Sequence, residues 1–221
     1  MQIALLGGTG DIGEGLALRW AYHTDHEVIV GSRKAERART KAEEYETELV
    51  SRGVDRTIGG YENAEAAARG NVVVLSVPPW HVADTVEAVA DAIGDAVLVS
   101  PAVGMKVDED GAHYAPPDVG SVTRLVADAA PDGVPVVGCF HNLAADRLAN
   151  LDVELDLDTL VVGDDPDAKE TVRSLAEGIE GLRALDAGPI TNAPEVESVT
   201  PLVINVARHN EGMHDVGVEF K

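Results

Sequence analysis

The sequence predicts an α/β protein built around a parallel sheet, and three observations predict it. The chain opens on a strand, Gln2–Leu6, that runs straight into a glycine loop, Gly7-Gly-Thr-Gly-Asp-Ile-Gly13, and on into a helical stretch from Ile12 to Tyr22. Apolar runs then alternate with helix-period patterns, as in repeated βαβ units. Runs such as Val72-Val-Val-Leu75 are apolar at every position, as expected of strands covered on both faces. The expectation is a Rossmann-type, doubly wound parallel sheet over residues 1–143, followed by a smaller α/β unit over residues 144–221.

The first element is the most informative. Gly8, Gly10 and Gly13 satisfy G-x-G-x-x-G between a strand and a helix. In that setting one glycine makes a tight turn, one lets the backbone approach a pyrophosphate, and one lets helix and strand pack closely. The anion sits on the helix N-terminus, where unpaired N–H groups and the helix dipole favour it. The second strand, Glu27-Val-Ile-Val30, ends in Gly31-Ser32-Arg33-Lys34. An NAD site places a carboxylate there for the ribose 2′-hydroxyl; here stand a hydroxyl, a guanidinium and an ammonium. Arginine grips phosphate with two N–H donors, so the expectation is NADP(H), with Ser32, Arg33 and Arg37 on the 2′-phosphate. Arg33, Lys34, Arg37, Arg39 and Lys41 place five of the 17 positive charges within nine residues. A solvated helix face, with Glu36, Glu43 and Glu44 as partners, is the alternative. Lys34, Arg39 and Lys41 are assigned to surface.

Further strands are expected at Asn71–Ser76, Ala96–Ser100 and Pro135–Phe140, with a weaker one near Thr57–Ile58. Helices are expected at Lys34–Ser51, Asn63–Arg69, His81–Ile93 and Ser121–Ala130. Beyond Leu143 come strands at Thr159–Val162 and Arg183–Leu185, a helix at Pro166–Glu180 that starts on a proline, and a mostly apolar helix at Pro194–Met213, read as core or dimer interface. Gly104–Gly120, with Pro116-Pro117 and several acids, reads as a loop over the sheet.

Composition narrows the function. The 39 acidic and 17 basic residues give a net charge of −22, which argues against nucleic acid or an anionic membrane as partner. A cytoplasm at very high salt, where repulsion is screened, accounts for such a surface, and a halophilic source is expected. The single cysteine, Cys139, allows no intrachain disulfide and suits a reducing compartment; its apolar neighbours mark it as a buried structural thiol. A strand begins at once, so no signal peptide is expected, and no apolar run approaches membrane-spanning length. The expected location is the cytoplasm.

In an open α/β sheet ligands bind beyond the carboxyl ends of the strands. Three such ends stand out: Ser76-Val77-Pro78-Pro79-Trp80-His81, Ser100-Pro101-Ala102-Val103-Gly104 and Cys139-Phe140-His141-Asn142-Leu143-Ala144-Ala145. Trp80 is either the cover of a flat ring or part of a packed turn. His141 is open to an acid–base role or to a hydrogen-bonding wall role. No histidine has metal-ligand spacing with cysteine or carboxylates, so no metal is expected. The strand ends are otherwise small, apolar or proline, and no Tyr-x-x-x-Lys pair is present. Hydride transfer between two bound carriers needs stacked rings and excluded water more than acid–base machinery, so a carrier-to-carrier oxidoreductase is expected.

With these residues in view, the chain resembles the coenzyme F420-dependent NADP oxidoreductases, F420 being an 8-hydroxy-5-deazaflavin. The resemblance rests on Ala4-Leu-Leu-Gly-Gly-Thr-Gly-Asp-Ile-Gly-Glu-Gly-Leu-Ala-Leu-Arg19, Val30-Gly-Ser-Arg33, the Val77-Pro78 and Val99-Ser100-Pro101 strand ends, Arg147-Leu-Ala-Asn-Leu151, Leu182-Arg-Ala-Leu-Asp-Ala-Gly-Pro189, Glu197-Ser-Val-Thr-Pro-Leu202 and Asp215-Val-Gly-Val-Glu-Phe220. It implies reversible hydride transfer between the deazaflavin and the nicotinamide. It also implies a smaller C-terminal domain that completes the deazaflavin pocket, and a homodimer. Thr9, Gly10, Asp11 and Ile12 would then hold the pyrophosphate region. Val77, Val103 and Ala145 would line the nicotinamide side, with His141 and Val216 near the deazaflavin. Glu14 and the polar His209-Asn-Glu-Gly-Met-His214 depart from the family pattern. Competing readings are an NADPH-dependent reductase of a flavin or ferric chelate, and a non-catalytic NADP(H)-sensing module.

Overall fold

The computed structural model describes all residues, 1–221. In chain order it contains β1 (Gln2–Leu6), α1 (Asp11–His23), β2 (Glu27–Ser32), α2 (Ala35–Ser51), β3 (Gly59–Glu62), α3 (Asn63–Ala67), β4 (Val72–Leu75), α4 (Val82–Ile93), β5 (Val97–Ser100), β6 (Met105–Val107), β7 (Ala112–Tyr114), α5 (Val122–Ala129), β8 (Val136–Gly138), α6 (Ala145–Ala149), β9 (Leu157–Gly163), α7 (Pro166–Glu177), β10 (Leu182–Asp186) and α8 (Ala193–His209). One eight-stranded sheet runs in the order β10-β9-β8-β5-β4-β1-β2-β3. All neighbours are parallel except β8 and β9. The fold is the expected α/β one, and the strands after residue 143 extend the same sheet.

The apolar runs explain the layering. β1 and β4 bury nearly every residue, so both sheet faces need a helical cover. The larger core cluster joins one face to α1, α2, α6 and α7 through Leu16, Trp20, Leu49, Leu148 and Leu175. The smaller cluster joins the other face to α3, α4 and α5 through Ala66, Val82, Val86, Val122 and Val126. Trp20 is completely buried; its indole N–H donates to the Leu175 carbonyl at 2.8 Å and its ring meets Phe140 edge-on at 5.7 Å. Cys139 is buried, and burial pushes its thiol up to about 12, as expected of a structural residue. No helix is long and apolar enough to cross a membrane.

Two segments differ from expectation. Gly104–Gly120 is not a plain loop: β6 and β7 form an antiparallel hairpin, Met105 opposite Tyr114. Its strands are three residues long and partly exposed, so sequence period carries no signal for it. It is fixed from outside by Asn205 of α8, whose side-chain amide accepts from Ala112 N–H and donates to Ala112 C=O, both at 2.8 Å. The second is α6, a single turn absent from the sequence reading. It depends on Arg19, which is 2% exposed and reaches across from α1. Its guanidinium donates to the carbonyls of Arg147, Leu148, Asn150 and Val153 at 2.7–3.0 Å. Those carbonyls replace the carboxylate that a buried cation normally requires. The same contact explains Gly15: a Cβ there would lie 2.5 Å from Leu148 Cβ.

Candidate functional site

The glycine loop is built by close contacts. Gly7, with φ +74°, makes the turn, and its N–H donates to Gly31 C=O at 3.0 Å. The tight turn thus falls one residue before the three fingerprint glycines. A Cβ on Gly13 would lie 2.6 Å from Gly8 Cα, whereas one on Gly10 would meet nothing closer than 3.6 Å. Gly8 and Gly13 therefore serve helix–strand packing, and Gly10 keeps the loop open. Tyr45 of α2 supports the loop from beneath, its hydroxyl donating to Gly8 C=O at 2.9 Å. Gly10 is the N-cap of α1 and no side chain caps the helix, which leaves its first N–H groups free for an anion.

Beyond this loop lie two cavities. The first, about 540 Å³, is lined by Gly7, Thr9, Gly10, Ser32, Arg33 and Arg37, with Asn63, Ser76 and Val77 and the carboxylates of Glu62 and Asp84. Arg33 and Arg37 form no ion pair or hydrogen bond, and Arg39 is the only other arginine of which that is true. The remaining nine of the twelve are engaged with carboxylates or carbonyls. In a chain of net charge −22, two guanidinium groups in one cavity are left without a partner in the chain. Lys41, assigned to surface, pairs with Glu44 at 2.6 Å and faces Glu14 at 3.8 Å.

The second cavity, about 480 Å³, is mostly apolar. Ile12, Val77, Pro79, Pro101, Val103, Met105, Ala145, Val203 and Val216 line it, with His141, Asn142, Thr200 and Asp215 as polar members. All three strand ends singled out by sequence contribute. Val77 lines both cavities, which is where they meet. Of the residues expected at the site, Thr9, Gly10, Ser32, Arg33 and Arg37 face the first cavity, and Ile12, Val77, Val103, His141, Ala145 and Val216 the second. Gly8, Asp11 and Gly13 line neither. Trp80 lines neither and is 71% exposed, so it covers no ring bound in these cavities.

Local backbone geometry places the polar residues. Phe140 sits two residues past the end of β8 with φ +68°, a left-handed conformation that is unfavourable for an aromatic residue. Its N–H donates to Thr159 Oγ1 at 3.0 Å and Trp20 holds its ring. The chain turns sharply there, bringing His141 and Asn142 to the cavity. Thr200 of α8 donates to His141 C=O at 2.8 Å. Behind His141 lies a buried network that sequence reading missed. Glu197, completely buried, accepts from the N–H groups of Val122 and Thr123, from Thr123 Oγ1 and from the Tyr114 hydroxyl, at 2.9–3.0 Å. Burial raises its pKa, and those donors pull it back. The Thr123 proton is committed to Glu197, so Thr123 Oγ1 accepts from His141 Nε2, 3.3 Å away. His141 is then the Nε2–H tautomer, and Nδ1, buried without a partner, is an acceptor. The signal was present in Glu197-Ser-Val-Thr200, whose acid and threonine, three residues apart, lie on one side of a helix.

Burial holds the His141 imidazole down at about 3, so it is neutral across the physiological range. Between that value and its ordinary 6.5 the unfolded chain takes up a proton that the folded chain refuses. Stability therefore falls as pH drops from 6.5 toward 3, by up to ~1.4 kcal/mol per pH unit, and is unaffected above 6.5. Denaturant titrations of the wild type and His141→Gln over that window are expected to differ in slope by close to one proton. Equal slopes would contradict the buried neutral imidazole.

A sheet with a glycine-loop phosphate site beside an apolar ring-sized cavity defines a Rossmann-type nucleotide oxidoreductase. A family model described as NADP oxidoreductase, coenzyme F420-dependent, matches residues 2–104. The F420-dependent NADP reductase of Methanocaldococcus jannaschii is 38% identical over 209 residues, covering 93% of this chain and 92% of that protein. The enzyme of the same name from Methanothermobacter marburgensis is 39% identical over 209 residues, with the same coverage. A crystal structure of a protein from Arthrobacter superposes with a TM-score of 0.81 over all of this chain and 99% of that one, at 22% identity; it shows a shared fold. The chain belongs to the coenzyme F420-dependent NADP oxidoreductase family.

Proposed function

We propose that the chain catalyses reversible hydride transfer between NADP(H) and coenzyme F420. The observation that carries this reading is the meeting of two unlike cavities at Val77, one with a glycine loop and two uncommitted arginines, the other apolar. Thr9, Gly10 and the free N–H groups of α1 take the pyrophosphate. Ser32, Arg33 and Arg37 take the 2′-phosphate. Val77, Val103 and Ala145 flank the nicotinamide, and the deazaflavin lies between Met105, Val203 and Val216. The hydride passes between the carriers themselves. The chain holds the rings together and excludes water. The proton that accompanies the hydride onto the deazaflavin comes from solvent, because His141 is neutral and its one N–H is engaged by Thr123 Oγ1. Residues 144–221 complete the second cavity.

A spectrophotometric assay in molar salt tests the reading. NADPH mixed with oxidised F420 is expected to bleach the deazaflavin's visible band, with NADH far slower. Turnover of FMN or a ferric chelate but not F420 would move the acceptor, and saturable NADPH binding without any turnover would leave a sensing module.

We also infer a homodimer and a high-salt cytoplasm. Leu202 and Val206, four residues apart on one side of α8, are 60% and 36% exposed, and Val107 on the hairpin is 72% exposed, a surface suited to a second copy. Repulsion among the carboxylates is screened only at high ionic strength, so the melting temperature is expected to rise from dilute to molar potassium chloride. An unchanged melting temperature would overturn the salt reading.

A further inference from the structure

Residues 210–221 follow α8 without regular structure. They cross the mouth of the second cavity at Asp215 and Val216 and are then fastened at one place. Asp158 of β9 is 1% exposed and touches neither cavity. Its N–H donates to Val218 C=O at 2.8 Å, and its carboxylate accepts from Phe220 N–H at 2.6 Å. Arg183, opposite Asp158 on β10, grips the same carboxylate through Nε and Nη2 at 2.6 and 2.7 Å, and Nη2 also donates to Phe220 C=O. On the other side, Asp158 C=O accepts from Asn142 Nδ2 at 2.7 Å. One residue of β9 therefore holds both Asn142 and the strap that carries Val216, two walls of the ring cavity. Elsewhere Asn210 is tied back to Val206 C=O of α8 at 2.8 Å, Gly217 packs against Leu157, and the hydrogen bond nearest the cavity is long, Arg147 Nη1 to Asp215 C=O at 3.5 Å.

We propose that Asp158 and Arg183 are positioning residues for the second substrate: they latch residues 210–221 across its cavity without touching the ring. The proposal rests on the reading that this cavity takes the deazaflavin. A bidentate arginine–carboxylate pair fixes geometry as well as charge, so weakening it releases the strap and leaves the dinucleotide loop intact.

Two variants test this: Arg183→Ala, whose side chain is half exposed, and a chain shortened after Gly217, which leaves the sheet whole. With oxidised F420 as the varied substrate, both are expected to raise its KM by roughly tenfold or more while kcat and the KM for NADPH stay within about threefold. Hydrogen exchange without added substrate is expected to be faster over residues 213–220 in Arg183→Ala than in the wild type. An unchanged KM for F420 in both variants, or equal loss toward both substrates, would overturn the latch. If the wild type fails to reduce F420, the functional reading falls. The latch is then judged by hydrogen exchange alone, where equal rates overturn it and faster exchange in the variant supports it.

Discussion

Replacing Arg33 by alanine is expected to lower kcat/KM for NADPH by about 10- to 150-fold while leaving the much weaker reaction with NADH unchanged. Arg33 stands at the carboxyl end of β2, lines the dinucleotide cavity and has no partner within the chain. Its loss removes one charged hydrogen-bonding contact to the 2′-phosphate, worth roughly 1.5–3 kcal/mol. NADH carries no phosphate at that position and loses nothing. Arg33→Lys should recover only part of the effect, because an ammonium keeps the charge but not the two-pronged geometry. Steady-state kinetics with both nucleotides check this. Equal loss for NADPH and NADH would mean that Arg33 supports the loop rather than reads the phosphate.

Glu197→Ala is expected to produce the largest loss of stability, about 3–5 kcal/mol, or on the order of a 10 °C fall in melting temperature for a chain of this size. Four donors converge on this carboxylate. Alanine leaves the Val122 and Thr123 N–H groups at the start of α5 buried and unpaired, each costing about 1–3 kcal/mol. The hydroxyls of Thr123 and Tyr114 can turn elsewhere, so they add less. Glu197→Gln should be intermediate: its carbonyl keeps one side of the network, but its NH₂ faces an N–H that cannot reverse. Because Thr123 orients His141, the alanine variant should also lose activity with F420 more than it loses NADPH binding. Thermal unfolding within 2 °C of the wild type, a margin of about 1 kcal/mol, would rule out this role for Glu197.

Where packing is periodic or a turn demands glycine, the chain could be read directly. β1 was located to the residue, and β4 and β5 to within one at either end, because continuous burial on both faces demands continuous apolar sequence; the less uniformly apolar β9 and β10 were located to within two. The grouping of Thr9, Gly10, Ser32, Arg33 and Arg37 around one cavity was also legible, since these residues lie close together in sequence. The other side was not. The antiparallel β8–β9 pairing, the β6–β7 hairpin and α6 are all set by partners 20 to 130 residues away, among them Asn205 on Ala112 and Arg19 on Leu148. Met105 reaches the second cavity through the hairpin and Val203 through α8, and no local pattern distinguishes either from ordinary core. Ile12 was expected beside the pyrophosphate, but the turn of α1 carries it to the second cavity.

The buried polar anchors share one trait: Arg19, Glu197 and Asp158 all shape the ring cavity, and none of them lines it. Frame and lining are thus separate sets of residues. Exchanging Met105, Val203 or Val216 for other apolar side chains alters the shape offered to an acceptor but leaves every framing hydrogen bond in place. The protein can therefore drift, or be steered, toward new acceptor rings at little cost to its stability, while its allegiance to one dinucleotide stays written in a separate part of the molecule.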